Sequence, residues 1–166
     1  ILNHFIIQNK CQRLVYTNNK IEGTLEDYSW LIAAILKMSS IKNSSFWLKQ
    51  SLFWGGISIE NFWSEKMGLF AYSSNKELYK QSFEIEDQVI PSSNSTMAHN
   101  LYELYRISND VHFLKIIKIM LSKVAGKAKE WLPNFTNWML LQQKLEVNLL
   151  QYILVGFKLE DILTLH

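Results

Sequence analysis

The sequence predicts a mainly α-helical chain of antiparallel helix hairpins carrying one or two short β-hairpins. Apolar residues recur three and four apart along most of its length, the spacing that lines one face of a helix. Short runs of capping and turn residues separate these stretches, so successive helices must fold back on one another. At two places the helical period gives way to short apolar runs flanked by turn residues, as strands require.

Five helices have clear periodicity, and a weaker helical pattern precedes them. The first spans residues 24–39. In Thr24-Leu25-Glu26-Asp27 a hydroxyl caps the first turn and a carboxylate three residues on reaches back. Its expected buried stripe is Leu25, Tyr28, Ile32, Ile35 and Leu36. The second covers residues 45–64 with a stripe of Leu48, Leu52, Gly55, Ile59 and Phe62. Each glycine of the internal pair Gly55-Gly56 costs about 1 kcal/mol against Ala, so a close crossing or a break belongs there. Residues 66–79 then read as a β-hairpin: Gly68-Leu69-Phe70-Ala71-Tyr72, a turn at Ser73-Ser74-Asn75-Lys76, and Glu77-Leu78-Tyr79. A shorter hairpin fits residues 13–21, where Leu14-Val15-Tyr16 leads into Thr17-Asn18-Asn19-Lys20.

Pro91-Ser92-Ser93-Asn94-Ser95 opens the third helix, whose stripe is Met97, Leu101, Leu104 and Tyr105. It closes at Ser108-Asn109-Asp110, where Asn109 suits the left-handed position and Asp110 caps the next helix, predicting an αα-hairpin. The fourth helix carries Leu114, Ile117, Leu121, Val124 and Ala128, with Lys115, Lys118, Lys123, Lys127 and Lys129 on its wet side. Pro133-Asn134 breaks the chain ahead of a fifth helix holding Phe135, Trp138, Leu141 and Leu145. Tyr152-Ile153-Leu154-Val155-Gly156 reads as a strand, which places a separate C-terminal strand and helix unit at residues 151–166 after a helical domain at residues 1–150.

Composition excludes several function classes. Apolar residues make up 48% and charged residues 19%, below the ~25% of a typical soluble domain, so the chain has a packed core and is not disordered. Lysines are scattered and the net charge is only +2, so nucleic acid is not expected as a partner. Cys11 is the single cysteine, which rules out an internal disulfide or CxxC pair and suits a reducing, cytoplasmic setting. The longest apolar run, residues 30–36, is far short of the ~20 residues that span a bilayer, so no membrane segment is expected. His4, His99, His112 and His166 show no metal-ligand spacing, and neither a metal nor another cofactor is predicted.

Four stretches together resemble the C-terminal region of the thioredoxin-domain-containing, spermatogenesis-associated protein family. They are Gly23-Thr24-Leu25-Glu26-Asp27-Tyr28, Glu60-Asn61-Phe62-Trp63-Ser64-Glu65 with Gly68-Leu69-Phe70, Ile90-Pro91-Ser92-Ser93-Asn94-Ser95, and the Tyr152 to Gly156 run. The family usually has Tyr-Asp-Gly where Glu86-Asp87-Gln88 stands here, and Gly at the position of Ser93. The resemblance implies a partial (α/α)6 toroid of the six-hairpin glycosidase type, related in shape to N-acylglucosamine 2-epimerases. Five or six helices are about half of such a ring, so an apolar edge should stand uncovered, or be covered by the remainder of the chain or by another protomer.

Glycoside cleavage needs two carboxylates about 5 to 10 Å apart. Asp27, Glu26 and Asp87 are the candidate catalytic residues, with Asp27 favoured because it matches the family position; first-turn acids also serve simply to complement the helix dipole. Ser92, Asn94, Ser95 and His99 are candidate ligand-binding residues around a helix start, where free N–H groups hold anions and sugar oxygens. Tyr28, Trp63 and Trp138 are the rings expected to stack on a sugar. The expected function is binding or processing of a carbohydrate-like ligand in a toroid cavity; the alternative is a non-catalytic helical scaffold that docks partners.

Overall fold

A computed structural model of the chain describes residues 6–7, 10–14, 20–42, 45–75 and 81–147. The strand expected at residues 77–79 and the unit expected at residues 151–166 lie outside the described residues. The chain opens with three strands, β1 (Ile6–Ile7), β2 (Lys10–Leu14) and β3 (Lys20–Glu22), paired antiparallel in the order β1-β2-β3. Arg13 faces Ile21 across the β2–β3 pair, so the hairpin expected there forms. The weak helical pattern ahead of it is instead strand where the structure describes it, and β1 extends the hairpin to a third strand.

Helices α1 (Leu25–Lys42) and α2 (Ser45–Phe62) form the first helix hairpin. Asp27 Oδ2 accepts from the Thr24 backbone N–H at 2.7 Å, closing the N-terminal box that the sequence specifies. Leu25, Tyr28 and Ile32 are fully buried along the expected stripe of α1. On α2 the buried face is Ser51, Trp54, Gly55, Ser58 and Phe62, rotated away from the expected leucines, while Leu48, Leu52 and Ile59 are half-buried. The cause is a close crossing: a Cβ on Gly55 would stand 2.5 Å from Leu104 Cδ1. Small side chains at positions 51, 55 and 58 admit that approach, and large ones at the same positions would not.

Strands β4 (Trp63–Ser64) and β5 (Leu69–Phe70) follow α2 directly, joined by a turn in which Gly68 has φ +68°. The expected first strand therefore forms at Leu69–Phe70, and its described strand partner is Trp63–Ser64 at the end of α2. The other edge of Phe70 is occupied by a side chain: its N–H donates to Asn94 Oδ1 at 2.8 Å and its C=O accepts from Asn94 Nδ2 at 2.9 Å.

The second helix hairpin is α3 (Ser93–Ser108) and α4 (Val111–Glu130), turned by Asn109 in the left-handed region at φ 57° and capped by Asp110, which accepts from the His112 N–H. Phe113, Ile117, Met120 and Val124 of α4 are buried, and all five lysines of that helix are exposed. A 3-10 turn (Leu132–Phe135) leads into α5 (Thr136–Glu146).

Hydrogen bonds fix the helix directions. Ser95 meets Asn137 and Tyr102 meets Lys144, both pairs 42 residues apart, so α3 and α5 run parallel. Asn100, midway along α3, bonds Ser29 in the second turn of α1, and the last turns of both helices line one cleft, so these two are parallel as well. Helices α2 and α4 return antiparallel to them. Three parallel helices with antiparallel return helices make a partial (α/α)6 toroid, with short antiparallel β-hairpins at one end. Large apolar side chains stand exposed at both ends of the arc: Trp30, Ile41, Phe46 and Phe53 on the first hairpin, Trp131, Leu132 and Leu140 beside the last helix.

The two adjacent glycines of α2 give a direct check on this packing. Gly56 has open space where a Cβ would go, so Gly56→Ala should stabilise the chain by about 0.5–1 kcal/mol through helix propensity alone. Gly55→Ala must displace the fully buried Leu104 and should destabilise it by about 1–3 kcal/mol. Urea midpoints for the two variants should move in opposite directions.

Candidate functional site

Residues 81–92, ahead of α3, lie in neither helix nor strand, and their polar groups are answered by side chains and backbone groups outside any sheet. Ser82 C=O accepts from the Tyr72 N–H, Glu84 C=O from Asn94 Nδ2, and Ile85 C=O from Trp138 Nε1 at 2.8 Å. The Asp87 N–H donates to the Asn134 C=O at 2.7 Å. This segment ties the 3-10 turn and α5 to the start of α3.

Asp87 is its centre. The residue is 7% exposed, and its carboxylate Oδ1 accepts from the Ser92 N–H at 2.9 Å and from Ser95 Oγ at 2.7 Å. Oδ2 accepts from the Asn137 N–H at 3.0 Å. Helix α5 has no local side-chain cap and no acid in its first turn, so Asp87 supplies from 50 residues away the acceptor that its N-terminus needs. The α3 terminus is closed too. The Ser93 N–H reaches Glu84 Oε2 at 3.3 Å and the Ser95 N–H reaches Ser92 Oγ at 3.2 Å.

The expected candidates therefore divide. Asp87, Ser92, Ser95 and His99 come together, joined through Asn137, and Asn94 lies beside them with three of its hydrogen bonds spent on Phe70 and Glu84. Ser92, Asn94 and Ser95 are all buried, so the N–H groups expected to meet a ligand are met by the protein's own carboxylates and hydroxyls. Asp27 and Glu26 sit at the start of α1, with Asp27 engaged by Thr24. Tyr28 and Trp138 are 0% exposed and belong to the core, where neither ring can stack on a sugar as the chain stands. Tyr28 packs edge-on against Trp54 and Phe62, its hydroxyl accepts from the Cys11 N–H, and burial pushes its phenol pKa up. Trp63 is half-buried, edge-on to Phe70.

An open cleft of about 820 Å³ lies along α3 toward its C-terminal end. His99, Glu103 and Arg106 project into it from one face of α3, Lys144 from α5, Lys37 from α1 and Ser45 from the first turn of α2. Spacings of four and three residues put the α3 side chains in one row. Arg106 Nη1 donates to Glu103 Oε2 at 3.1 Å, and its guanidinium lies 5.9 Å from the Tyr102 ring centre. His99 Nε2 lies 2.8 Å from the Asn137 C=O, which only accepts, so this nitrogen carries the proton. Nδ1 is then an acceptor for Lys144 Nζ at 3.4 Å. Burial lowers the His99 pKa and Lys144 adds to that shift, against opposing effects of the Asn137 carbonyl, Glu103 and Asp87. The imidazole is neutral at pH 7.

Of the expected site residues, His99 alone lines this cleft. Lys144, Glu103, Arg106 and Asn100 were not anticipated, because each sits where a solvated helix face ordinarily carries polar residues. The available sequence signal was the spacing of His99, Glu103 and Arg106, four and three residues apart, which sets three polar side chains in one row of the helix. Among the described residues no group of three His, Cys, Asp or Glu side chains is placed to hold a metal ion, and no helix is long and apolar enough to cross a membrane.

No family model matches the chain, and no curated protein matches it. Among solved structures, the fold is similar to that of a GH76 α-mannanase from Bacteroides thetaiotaomicron, solved as a selenomethionine derivative, with a TM-score of 0.53 at 11% sequence identity. The match covers 74% of this chain and 30% of that one, so the chain spans less than a third of the mannanase's length. At this identity the likeness concerns the fold, and it is the fold of an α/α toroid.

Two measurements test the assignments. Asp87→Asn places an N–H where the carboxylate accepts from Ser92 and Ser95 or from Asn137, and should cost about 2–3 kcal/mol in urea unfolding, against under about 1 kcal/mol for Asp27→Asn. His99 has its pKa lowered from 6.5 in the folded state. Below pH 6.5 the unfolded chain takes a proton that the folded chain refuses, so stability falls as pH drops and levels off once the folded imidazole protonates. His99→Gln should remove that part of the acid limb and leave stability flat across the same window.

Proposed function

We propose that the chain is the ligand-binding arc of an α/α toroid, and that its cleft at His99, Glu103, Arg106 and Lys144 takes a carbohydrate-like small molecule. The observation that carries this reading is the cleft itself, whose size falls within the ~300–1,000 Å³ of small-molecule sites. A polyhydroxylated ligand presents both donors and acceptors at each oxygen. The cleft offers Glu103 as acceptor, Arg106, Lys144 and Lys37 as donors, the hydroxyl of Ser45 as either, and the hydroxyl oxygens of Ser39 and Ser40, whose protons go to Leu36 and Lys37 C=O, as further acceptors. Leu36, Leu48 and Ile107 supply apolar wall for the C–H faces of a ring. Similarity in shape to a mannanase supports the same ligand class. The segments around Thr24, Phe62 and Pro91 support placing the chain with the thioredoxin-domain-containing group. In this reading Asp27 and Asp87 act as helix-terminal acceptors, and catalysis by that pair is not part of the assignment.

A second reading, a non-catalytic scaffold that docks a partner, is favoured by the exposure of Trp30, Ile41, Phe46 and Phe53 on the first helix hairpin. Calorimetric titration with a panel of mono- and oligosaccharides separates the two. Under the binding reading at least one saccharide binds, Glu103→Gln weakens it roughly tenfold, and Asp27→Asn leaves it unchanged. Binding lost with Asp27→Asn and indifferent to Glu103→Gln would move the site to the start of α1. No binding by any saccharide would leave the scaffold.

A further inference from the structure

Charge along the cleft is one-sided. Lys37, Arg106 and Lys144 line it with one carboxylate, Glu103, and that carboxylate is held by Arg106 at 3.1 Å. His99 is neutral and meets Lys144 through Nδ1, so the imidazole adds no charge. Two ammonium groups on two parallel helices, Lys37 on α1 and Lys144 on α5, are thus left with no described carboxylate within ion-pair distance. The ordinary explanation for a cation near a helix C-terminus is the helix dipole. It suits Lys144, which is in the last turn of α5. It does not suit Lys37, which stands five residues, more than one turn, before the end of α1 at Lys42. A dipole end also carries only about half a charge and acts within one turn, which leaves about half of the Lys144 charge for another partner. The contact that Lys144 does make, 3.4 Å to a neutral imidazole, is long and gives way readily to a charged acceptor.

We infer that the cleft selects an anionic carbohydrate, one bearing a carboxylate or a phosphate, with the negative group seated between Lys37 and Lys144 and ring hydroxyls toward Glu103 and Arg106. This rests on the reading of the cleft as a carbohydrate site. An anion drawing Lys144 away from His99 exchanges a cation beside Nδ1 for a negative charge nearby, so occupancy raises the tendency of the imidazole to protonate. His99 therefore reports the charge of the ligand.

The experiment titrates the chain with galacturonate and glucose 6-phosphate beside their uncharged counterparts galactose and glucose, by calorimetry and by following the His99 imidazole signals in NMR, assigned with His99→Gln. One or both anionic sugars should bind, more weakly as salt is raised, with a His99 pKa that moves upward on binding; the carboxylate and phosphate arms tell the two anions apart. Lys144→Gln and Lys37→Gln are both exposed and tolerable to the fold, and each should weaken the anionic ligand roughly tenfold. Neutral sugars binding as well as charged ones, or binding indifferent to salt and to both lysines, would overturn the inference while leaving the carbohydrate site standing. Failure of every charged and uncharged sugar to bind would overturn the site and the inference together.

Discussion

One buried carboxylate holds the parallel helices in register. Asp87 accepts from a backbone N–H of the α3 cap, from a hydroxyl in the first turn of α3 and from a backbone N–H in the first turn of α5. Helix N-termini leave donors without partners, and burying them unanswered costs about 1–3 kcal/mol each. A charged acceptor shared between two such ends satisfies both, and it forces them to stand side by side. Because α3 and α5 start at the same level and run the same way, Ser95 meets Asn137 and, two turns on, Tyr102 meets Lys144. Asn137 then carries the constraint into the cleft: its N–H is held by Asp87 and its C=O fixes the His99 tautomer.

The start of α3 can be wedged among its neighbours only because its side chains are small. Every residue from Ser93 to Ala98 is buried, so the first turn and a half of this helix has no face to water. Serine, asparagine and threonine there shorten the distance to β5, to residues 81–92 and to α5. Asn94 takes the place of a strand by pairing with both the N–H and the C=O of Phe70. The same logic operates on α2, where Gly55 lets the backbone approach Leu104 and the flanking buried residues Ser51 and Ser58 are small as well.

Helix ends were legible in the sequence because their signals are local: Thr24 with Asp27, and Asn109 with Asp110, act within a few residues of where they stand. Apolar stripes were legible where large side chains fill the contact, as along α1. On α2 they were not, since small residues make the closest contact and look unremarkable in a pattern of leucines. The partners of Phe70 were illegible for the same kind of reason, since one of them is contributed by Asn94, 24 residues away. Ser92, Asn94 and Ser95 were recognised as a group around a helix start, but whether their polar atoms face a ligand or a carboxylate of the same chain depends on Asp87 and Glu84 folding back over them. The cleft was the least visible part. Lys144 becomes a neighbour of His99 only once α3 and α5 are parallel, which no local pattern states.

The toroid arc thus has a sealed end and an open side: Asp87, Ser92, Asn94, Ser95 and Asn137 at the helix starts are consumed in holding the helices together, and polar residues farther along α3 and α5 remain available in the cleft. The link between them is the path from Asp87 through Asn137 to His99. Amide hydrogen exchange at Ser92 and Asn137, recorded together with the His99 Nε2 proton in the wild type and in Asp87→Asn, tests it directly. Strong protection of both amides and a slowly exchanging imidazole proton in the wild type, all lost together in the variant while the α4 amides keep their protection, is the result this account predicts. An imidazole proton and an Asn137 amide that stay protected without the carboxylate would contradict it.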